Sequence, residues 1–121
     1  MRQKLTVIVP CKNERRNLRA CIKSFVRIAD EILIADSGSV DDTMEIALEF
    51  DKVRIIQREY ITSGNFKNWA IPQATNEWVL IVDADERITP DLANEIELEL
   101  SRGPSEAVSY THLTLPTTPY V

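Results

Sequence analysis

Four short apolar, β-branched runs, at 5–9, 31–35, 53–56 and 78–82, are each followed by a stretch with apolar residues at helical spacing. That alternation leaves few folds open. The first run, Leu5-Thr6-Val7-Ile8-Val9, and the last, Trp78-Val79-Leu80-Ile81-Val82, are nearly continuous, as expected of strands covered on both faces. Strand then helix, repeated along the chain, predicts an α/β fold: three layers, α/β/α, around a mostly parallel, doubly wound sheet. Right-handed crossovers place helices on both faces, and ligands bind beyond the carboxyl ends of the strands. Those ends are Pro10, Asp36 and Asp83, which should meet along one edge.

The spacing predicts a first helix from about Glu14, with Leu18, Cys21, Ile22 and Phe25 facing inward. Arg16, Arg19, Lys23 and Arg27 lie elsewhere on it. This basic stripe reads first as a solvated face and second as weak, peripheral attraction to an anionic membrane surface. Asp41 and Asp42 are good caps for a second helix with Thr43, Ile46, Ala47 and Phe50 on its core side. Pro72 should kink or end a third helix carrying Trp69 and Ile71. Thr89-Pro90-Asp91 starts a fourth, lined by Leu92, Ile96 and Leu100.

With 121 residues the chain is one domain at most. A net charge of −5 offers no electrostatic case for nucleic acid. No apolar stretch reaches membrane-spanning length, and Met1-Arg2-Gln3-Lys4 lacks the apolar run of a signal peptide, so a cytoplasmic location is expected. Cys11 and Cys21 form no CxxC pair and read as buried, reduced thiols.

From Val108 the chain reads Val-Ser-Tyr-Thr-His-Leu-Thr-Leu-Pro-Thr-Thr-Pro-Tyr-Val, without a charged acid or base. Its start resembles a translated transposon-end sequencing adaptor in reverse complement. The adaptor's leading bases would complete a codon for Ser, Pro, Thr or Ala, and residue 107 is Ala. The expected division is therefore 1–107 natural and 108–121 a non-native tail, with no role for His112. A polar, Pro-containing terminal loop is the other reading.

The chemistry concentrates at Asp83-Ala84-Asp85, where the last apolar run surfaces. An unpaired charge is costly to bury, so such a strand end opens onto water, a metal ion or a ligand. In an extended segment residues i and i+2 share a face and can address one object. Several nucleotide sites use this edge of a sheet. However, the first strand leads into Pro10-Cys11-Lys12-Asn13-Glu14, which has no glycine, so neither a GxGxxG turn nor a Walker A loop is present. The charge of a phosphorylated ligand would have to be met by a divalent cation, Mg²⁺ or Mn²⁺, for which one or two carboxylates suffice. Asp85 is the natural ligand, leaving Asp83 to accept from ribose hydroxyls and Asp36 from a base N–H or sugar hydroxyl. Taken singly, each feature has a plain reading: Asp-x-Asp as a solvated turn, Asp36 as a loop cap, Lys67 as a surface charge. A haloacid dehalogenase-like phosphatase also places Asp-x-Asp after a strand, normally the first, whereas here it follows the fourth.

Four stretches together resemble the inverting family 2 glycosyltransferases. They are Val7-Ile8-Val9-Pro10-Cys11-Lys12-Asn13-Glu14, Ile34-Ala35-Asp36-Ser37-Gly38-Ser39-Val40-Asp41-Asp42-Thr43, Phe66-Lys67-Asn68-Trp69-Ala70-Ile71, and Trp78 through Asp83-Ala84-Asp85-Glu86-Arg87. The last two look closest to the branch that builds the lipopolysaccharide core. The resemblance implies a GT-A fold and metal-dependent transfer from a nucleotide sugar, commonly a UDP-sugar, to a saccharide or lipid-linked acceptor. A place at the inner face of the cytoplasmic membrane would suit such an acceptor. The resemblance also implies roles: Pro10, Cys11, Asn13 and Glu14 as pocket wall, Asp36 at the base, Lys67 near the nucleotide, Asp83 at the ribose, Ala84 between the carboxylates, and Asp85 on the metal. Family members carry a catalytic base, usually a carboxylate, in the second half of the domain, and no residue here matches it. The expectation is thus a donor-binding half, inactive or weak alone. A non-catalytic nucleotide-binding module on the same fold is the alternative; a nucleotidyltransferase is disfavoured by the glycine-free first loop.

Overall fold

The computed structural model describes residues 2–102 and 112–114. Five strands, β1 (Leu5–Cys11), β2 (Glu31–Asp36), β3 (Val53–Gln57), β4 (Trp78–Ile81) and β5 (His112–Thr114), form one sheet in the order β3-β2-β1-β4-β5. All the pairings are parallel. The helices are α1 (Leu18–Phe25), α2 (Thr43–Ala47), α3 (Ser63–Ala70) and α4 (Pro90–Ser101), with a 3₁₀ turn at Ile71–Gln73. From β1 the chain steps outward through β2 to β3, then returns to lay β4 on the other side of β1. The strand order reverses between β1 and β4, and a crevice at such a switch point is where doubly wound sheets take ligands.

Side chains alternate between faces along each strand and so sort into two cores. Val7, Val9, Ile32, Ile34, Leu80 and Val82 pack with Leu18, Ile22 and Phe25 of α1, Ile46 and Ala47 of α2, and Ala93, Ile96 and Leu100 of α4. Ile8, Leu33, Ala35, Val79 and Ile81 pack with Phe66 and Ala70 of α3. The outer layers are unequal: among the described residues three helices cover one face and α3, with its 3₁₀ turn, the other.

Local chemistry explains where elements begin and where expectation missed. α1 starts at Leu18 rather than near Glu14. Asn13 takes φ 55, and the Glu14 carbonyl accepts from Asn17 N (3.0 Å) and Leu18 N (2.9 Å), so a turn precedes the helix. Asp42 makes no side-chain cap bond; Asp41 accepts from the Thr43 backbone N–H (2.9 Å) and its hydroxyl instead. Thr62 and Thr89 cap α3 and α4, accepting from Asn65 N (3.0 Å) and Leu92 N (3.1 Å). Pro72 falls in the 3₁₀ turn that follows α3, so the α-helix stops before it.

The segment set aside as a tail contributes to the sheet. His112–Thr114 pairs with Val79, Leu80 and Ile81 of β4. An outer strand presents a row of unpaired N–H and C=O groups, which a short extended segment containing Leu and β-branched Thr can satisfy. The boundary expected at Ala107 lies outside the described residues.

Candidate functional site

Immediately after β4 the chain buries Val82 and then turns, with Glu86 N donating to Asp83 O at 2.9 Å. Ala84, 2% exposed, is pinned in the larger core, and the residues on either side of it, Asp83 and Asp85, are exposed. Solvent access of the two carboxylates thus comes from a tight turn that buries the residue between them, not from an extended segment. The Glu86 carboxylate accepts from Asp83 N (3.0 Å), the Cys21 thiol donates to Asp83 O (3.5 Å), and Ile88 N donates to Ser24 Oγ (2.9 Å). These bonds hold the turn at both ends.

Asp83 sits in a crowd of negative charge. Partial loss of solvation raises its carboxyl above the ordinary range even though the residue as a whole is exposed. Glu86, Asp85 and Glu14 push further the same way, and the Lys67 ammonium of α3 opposes them. Lys67 is therefore brought within electrostatic reach of Asp83, although the two come from different elements. Arg87 donates to Asn17 Oδ1 (3.3 Å) and Asn17 Nδ2 to Glu14 Oε1 (3.0 Å), so the first loop and the turn after β4 are tied together.

Among the described residues no three His, Cys, Asp or Glu side chains converge on a point that could hold a metal alone. Mg²⁺ and Mn²⁺ do not need such a cage, since they complete their shell with phosphate oxygens and water. An acidic turn in which Asp83 is already destabilised as an anion fits a cation that arrives with a phosphorylated ligand, and Asp85 fits as its ligand.

Asp36 departs from expectation. It is fully buried, and its oxygens accept from Gly38 N (3.1 Å), Ser39 N (3.0 Å), Ser39 Oγ (2.5 Å) and Gln57 Nε2 (3.2 Å). A carboxylate has about four lone-pair positions, and here these four donors occupy them. Asp36 instead builds the loop after β2, where Gly38 at φ 117 occupies a conformation that glycine adopts most readily. Asn13 locks this loop to the first one: its N–H donates to Ser39 Oγ (2.8 Å), and its Oδ1 accepts from Val40 N (2.7 Å).

The remaining wall residues divide by burial. Pro10 and Glu14 are half-buried and Asn13 is exposed. Cys11 turns its thiol into the larger core, and burial, then Asp36, pushes that thiol up to about 12. Only its backbone borders the edge, with Cys11 O accepting from Ser37 N (3.0 Å). Cys11 and Ala84 thus belong to the site by backbone alone. Next to Ser37 opens a groove of about 410 Å³ lined by Ser37, Gly38, Gln57, Arg58 and Glu59. Sequence reading missed Ser39, Gln57 and Arg58; the first two could have been found only by knowing that Asp36 points inward. Two of the four residues of the basic stripe at α1 are paired, Arg19 with Glu49 (2.7 Å) and Arg27 with Glu97 (2.8 Å). Among the described residues no helix is long and apolar enough to cross a membrane.

Fold and site together define a doubly wound α/β protein with an exposed acidic turn at its topological switch. A family model described as glycosyl transferase family 2 matches residues 6–113, and the chain belongs to that family. An uncharacterized glycosyltransferase of Rickettsia felis is 33% identical over 95 residues, covering 78% of this chain and 33% of that protein. The lipopolysaccharide core biosynthesis glycosyltransferase LpsC of Rhizobium meliloti is 32% identical over 110 residues, covering 88% of this chain and 40% of that protein. Among solved structures, Staphylococcus aureus TarS 1–349 superposes with a TM-score of 0.66 at 26% identity, over 77% of this chain and 31% of that one. Glucosyl-3-phosphoglycerate synthase of Mycobacterium tuberculosis, solved with Mn²⁺, UDP and phosphoglyceric acid, gives 0.68 at 23% identity, over 84% and 40%. These are GT-A glycosyltransferases, and the fold is theirs. The chain spans about a third of the length of the first of these relatives.

Proposed function

We propose that this chain is the donor-binding part of a metal-dependent, inverting glycosyltransferase that moves a sugar from a UDP-sugar to a saccharide or lipid-linked acceptor. The observation that carries the reading is the acidic Asp83-Ala84-Asp85 turn at the carboxyl end of β4, beside the switch in strand order. The Mn²⁺ and UDP held by the mycobacterial synthase support it, and the similarity to LpsC supports a lipopolysaccharide-type acceptor.

In this reading Asp85 ligates Mg²⁺ or Mn²⁺, and Asp83 accepts from the ribose hydroxyls. Lys67 faces the nucleotide, and Pro10, Asn13 and Glu14 form the wall. A bound divalent ion would offset the charge that develops on the departing diphosphate. The chain's own residues hold the donor so that its anomeric carbon faces the acceptor. A bond forms from the acceptor oxygen to that carbon as the bond to the diphosphate breaks on the opposite side. The hydroxyl proton passes to a general base within hydrogen-bond reach, a role assigned to no residue of this chain.

The test is sugar transfer by the full-length gene product. Turnover of a UDP-sugar that depends on Mn²⁺ or Mg²⁺ is expected. No turnover of any nucleotide sugar, with binding retained, would favour a nucleotide-binding module on the same fold.

A further inference from the structure

We propose that Asn17 is a positioning residue of the donor site. Its side-chain amide spaces the first loop from the acidic turn after β4, so that a nucleotide spanning the two meets both. The inference rests on the donor-site reading above, in which Glu14 belongs to the pocket wall and Asp83 and Asp85 to the ribose and metal end.

Local structure gives Asn17 no use. It stands directly before α1, where an asparagine normally caps the helix by accepting from a free backbone N–H. Here its own backbone is close to helical, φ −109 and ψ −27, and its side chain makes no cap bond. In helical backbone an asparagine supports a helix less well than most residues. Its half-buried amide is spent on tertiary contacts instead.

Those contacts join two loops. Asn17 Oδ1 accepts from Arg87 Nη2 (3.3 Å), and Nδ2 donates to Glu14 Oε1 (3.0 Å). Both neighbours are fixed in turn. Glu14 N donates to Thr43 Oγ1 (3.0 Å) at the start of α2. Arg87 Nη1 donates to Glu86 O (3.0 Å), and the Glu86 carboxylate accepts from Asp83 N (3.0 Å). Hydrogen bonds thus step from Glu14 through Asn17, Arg87 and Glu86 to Asp83. The sheet does not do this work, because its ladder ends short of the site. Val82 N donates to Ile8 O (3.0 Å), and Pro10 has no N–H with which to add the next bond. Cys21 and Ser24 fasten the turn to the body of α1. Among the described residues, only the Asn17 bridge carries a side-chain connection on to the first loop.

The residue type follows from what stands on either side. A guanidinium only donates and an ionised carboxylate only accepts, so a spacer between them must offer one acceptor and one donor. An amide does both. Among the described residues Arg87 makes no ion pair. Without the amide, Arg87 and Glu14 are opposite charges across a gap, free to close on each other and draw the loops together.

Calorimetric titration of the full chain with UDP in Mn²⁺ tests this, at a temperature well below every variant's thermal melt. Asn17→Ala should weaken UDP about tenfold, the size of one hydrogen bond to a charged group. Asn17→Asp keeps the shape and the acceptor but turns a carboxylate toward Glu14, and should weaken UDP as much. Asn17→Gln keeps donor and acceptor on a longer stem and should stay within about threefold of wild type. These two decide the matter if the alanine variant does not fold. Arg87→Met should also weaken UDP, and combining it with Asn17→Ala should cost no more than about a further twofold, because the bridge is already broken. Wild-type affinity in Asn17→Ala or Asn17→Asp, a glutamine variant as weak as alanine, or single losses that multiply overturns the role of Asn17 and leaves the donor site standing. Wild type that binds no UDP overturns both readings.

Discussion

Replacing Asp36 by alanine should cost stability before it costs binding. The carboxylate is fully buried and accepts from two backbone donors of its own loop, Gly38 N (3.1 Å) and Ser39 N (3.0 Å). Ser39 Oγ (2.5 Å) and Gln57 Nε2 (3.2 Å) can turn toward water and are left out of the sum. Each of these hydrogen bonds to a charged group is worth about 1–3 kcal/mol, so the pair amounts to about 2–6 kcal/mol, and the exposure of Gly38 lowers its share. Relief of a buried charge offsets part of this, which favours the lower half of the range. For a domain of this size each kilocalorie moves Tm by roughly 3–6 °C, and a fall of at least about 6 °C follows. Asp36→Asn keeps one acceptor oxygen but turns an amide N–H₂ toward donors, and should lie between. Thermal melts by circular dichroism, run without nucleotide, measure it. An alanine variant that melts with wild type yet no longer binds nucleotide would refute the reasoning, because it would mean the carboxylate serves the ligand rather than its own loop.

Three other outcomes follow from charge and burial. Asp83 has a folded-state pKa above its unfolded value, so its stabilising contribution is present at low pH and lost as pH rises through the raised value. Asp83→Asn should therefore raise Tm near neutral pH and flatten the melt-versus-pH curve just above the usual carboxylate range; parallel curves would contradict this. Burial pushes Glu31 up, but hydrogen bonds from Thr75 N (2.9 Å), Thr75 Oγ1 (2.8 Å), Thr6 Oγ1 (2.8 Å) and Arg54 Nε (3.1 Å) outweigh it and hold the carboxyl low. That stability is present above the usual Glu range and lost as pH falls through the lowered value, so Glu31→Gln should cost about 1–3 kcal/mol in urea unfolding and blunt the acid limb. Burial pushes the thiols of Cys11 and Cys21 up to about 12, so a thiol reagent at neutral pH should label neither until the chain unfolds; labelling at the denatured rate would contradict that burial.

The layers and the site edge were legible because hydrophobic period is a direct consequence of burial. Val7, Val9, Ile32 and Ile34 had to face one way and Ile8 and Leu33 the other, and the sheet sorts them so. Asp83 and Asp85 stood out because charged groups at strand ends have few structural uses, whereas Lys67, inside α3, stood out only through the family resemblance. The direction of Asp36 was not legible. Whether a carboxylate turns outward to a ligand or inward to its own loop depends on donors two and three residues ahead and on Gln57 from another strand. Asn17 was equally hidden, since only the fold brings Arg87, 70 residues on, to its amide. The start of α1 was misjudged because the left-handed Asn13 spends the Glu14 carbonyl on a turn. The pairing of His112–Thr114 with β4 could not be read from composition, because a sheet edge selects partners by backbone hydrogen bonds.

The central claim is that the turn at Asp83 and Asp85 is the metal and ribose end of a nucleotide-sugar site. Calorimetry with UDP, with and without Mn²⁺, on wild type and Asp85→Ala tests it most directly. UDP binding that requires Mn²⁺ in wild type and loses that requirement, with most of its affinity, in Asp85→Ala is the result expected. Metal-dependent affinity that survives Asp85→Ala would contradict the assignment of the metal to this residue.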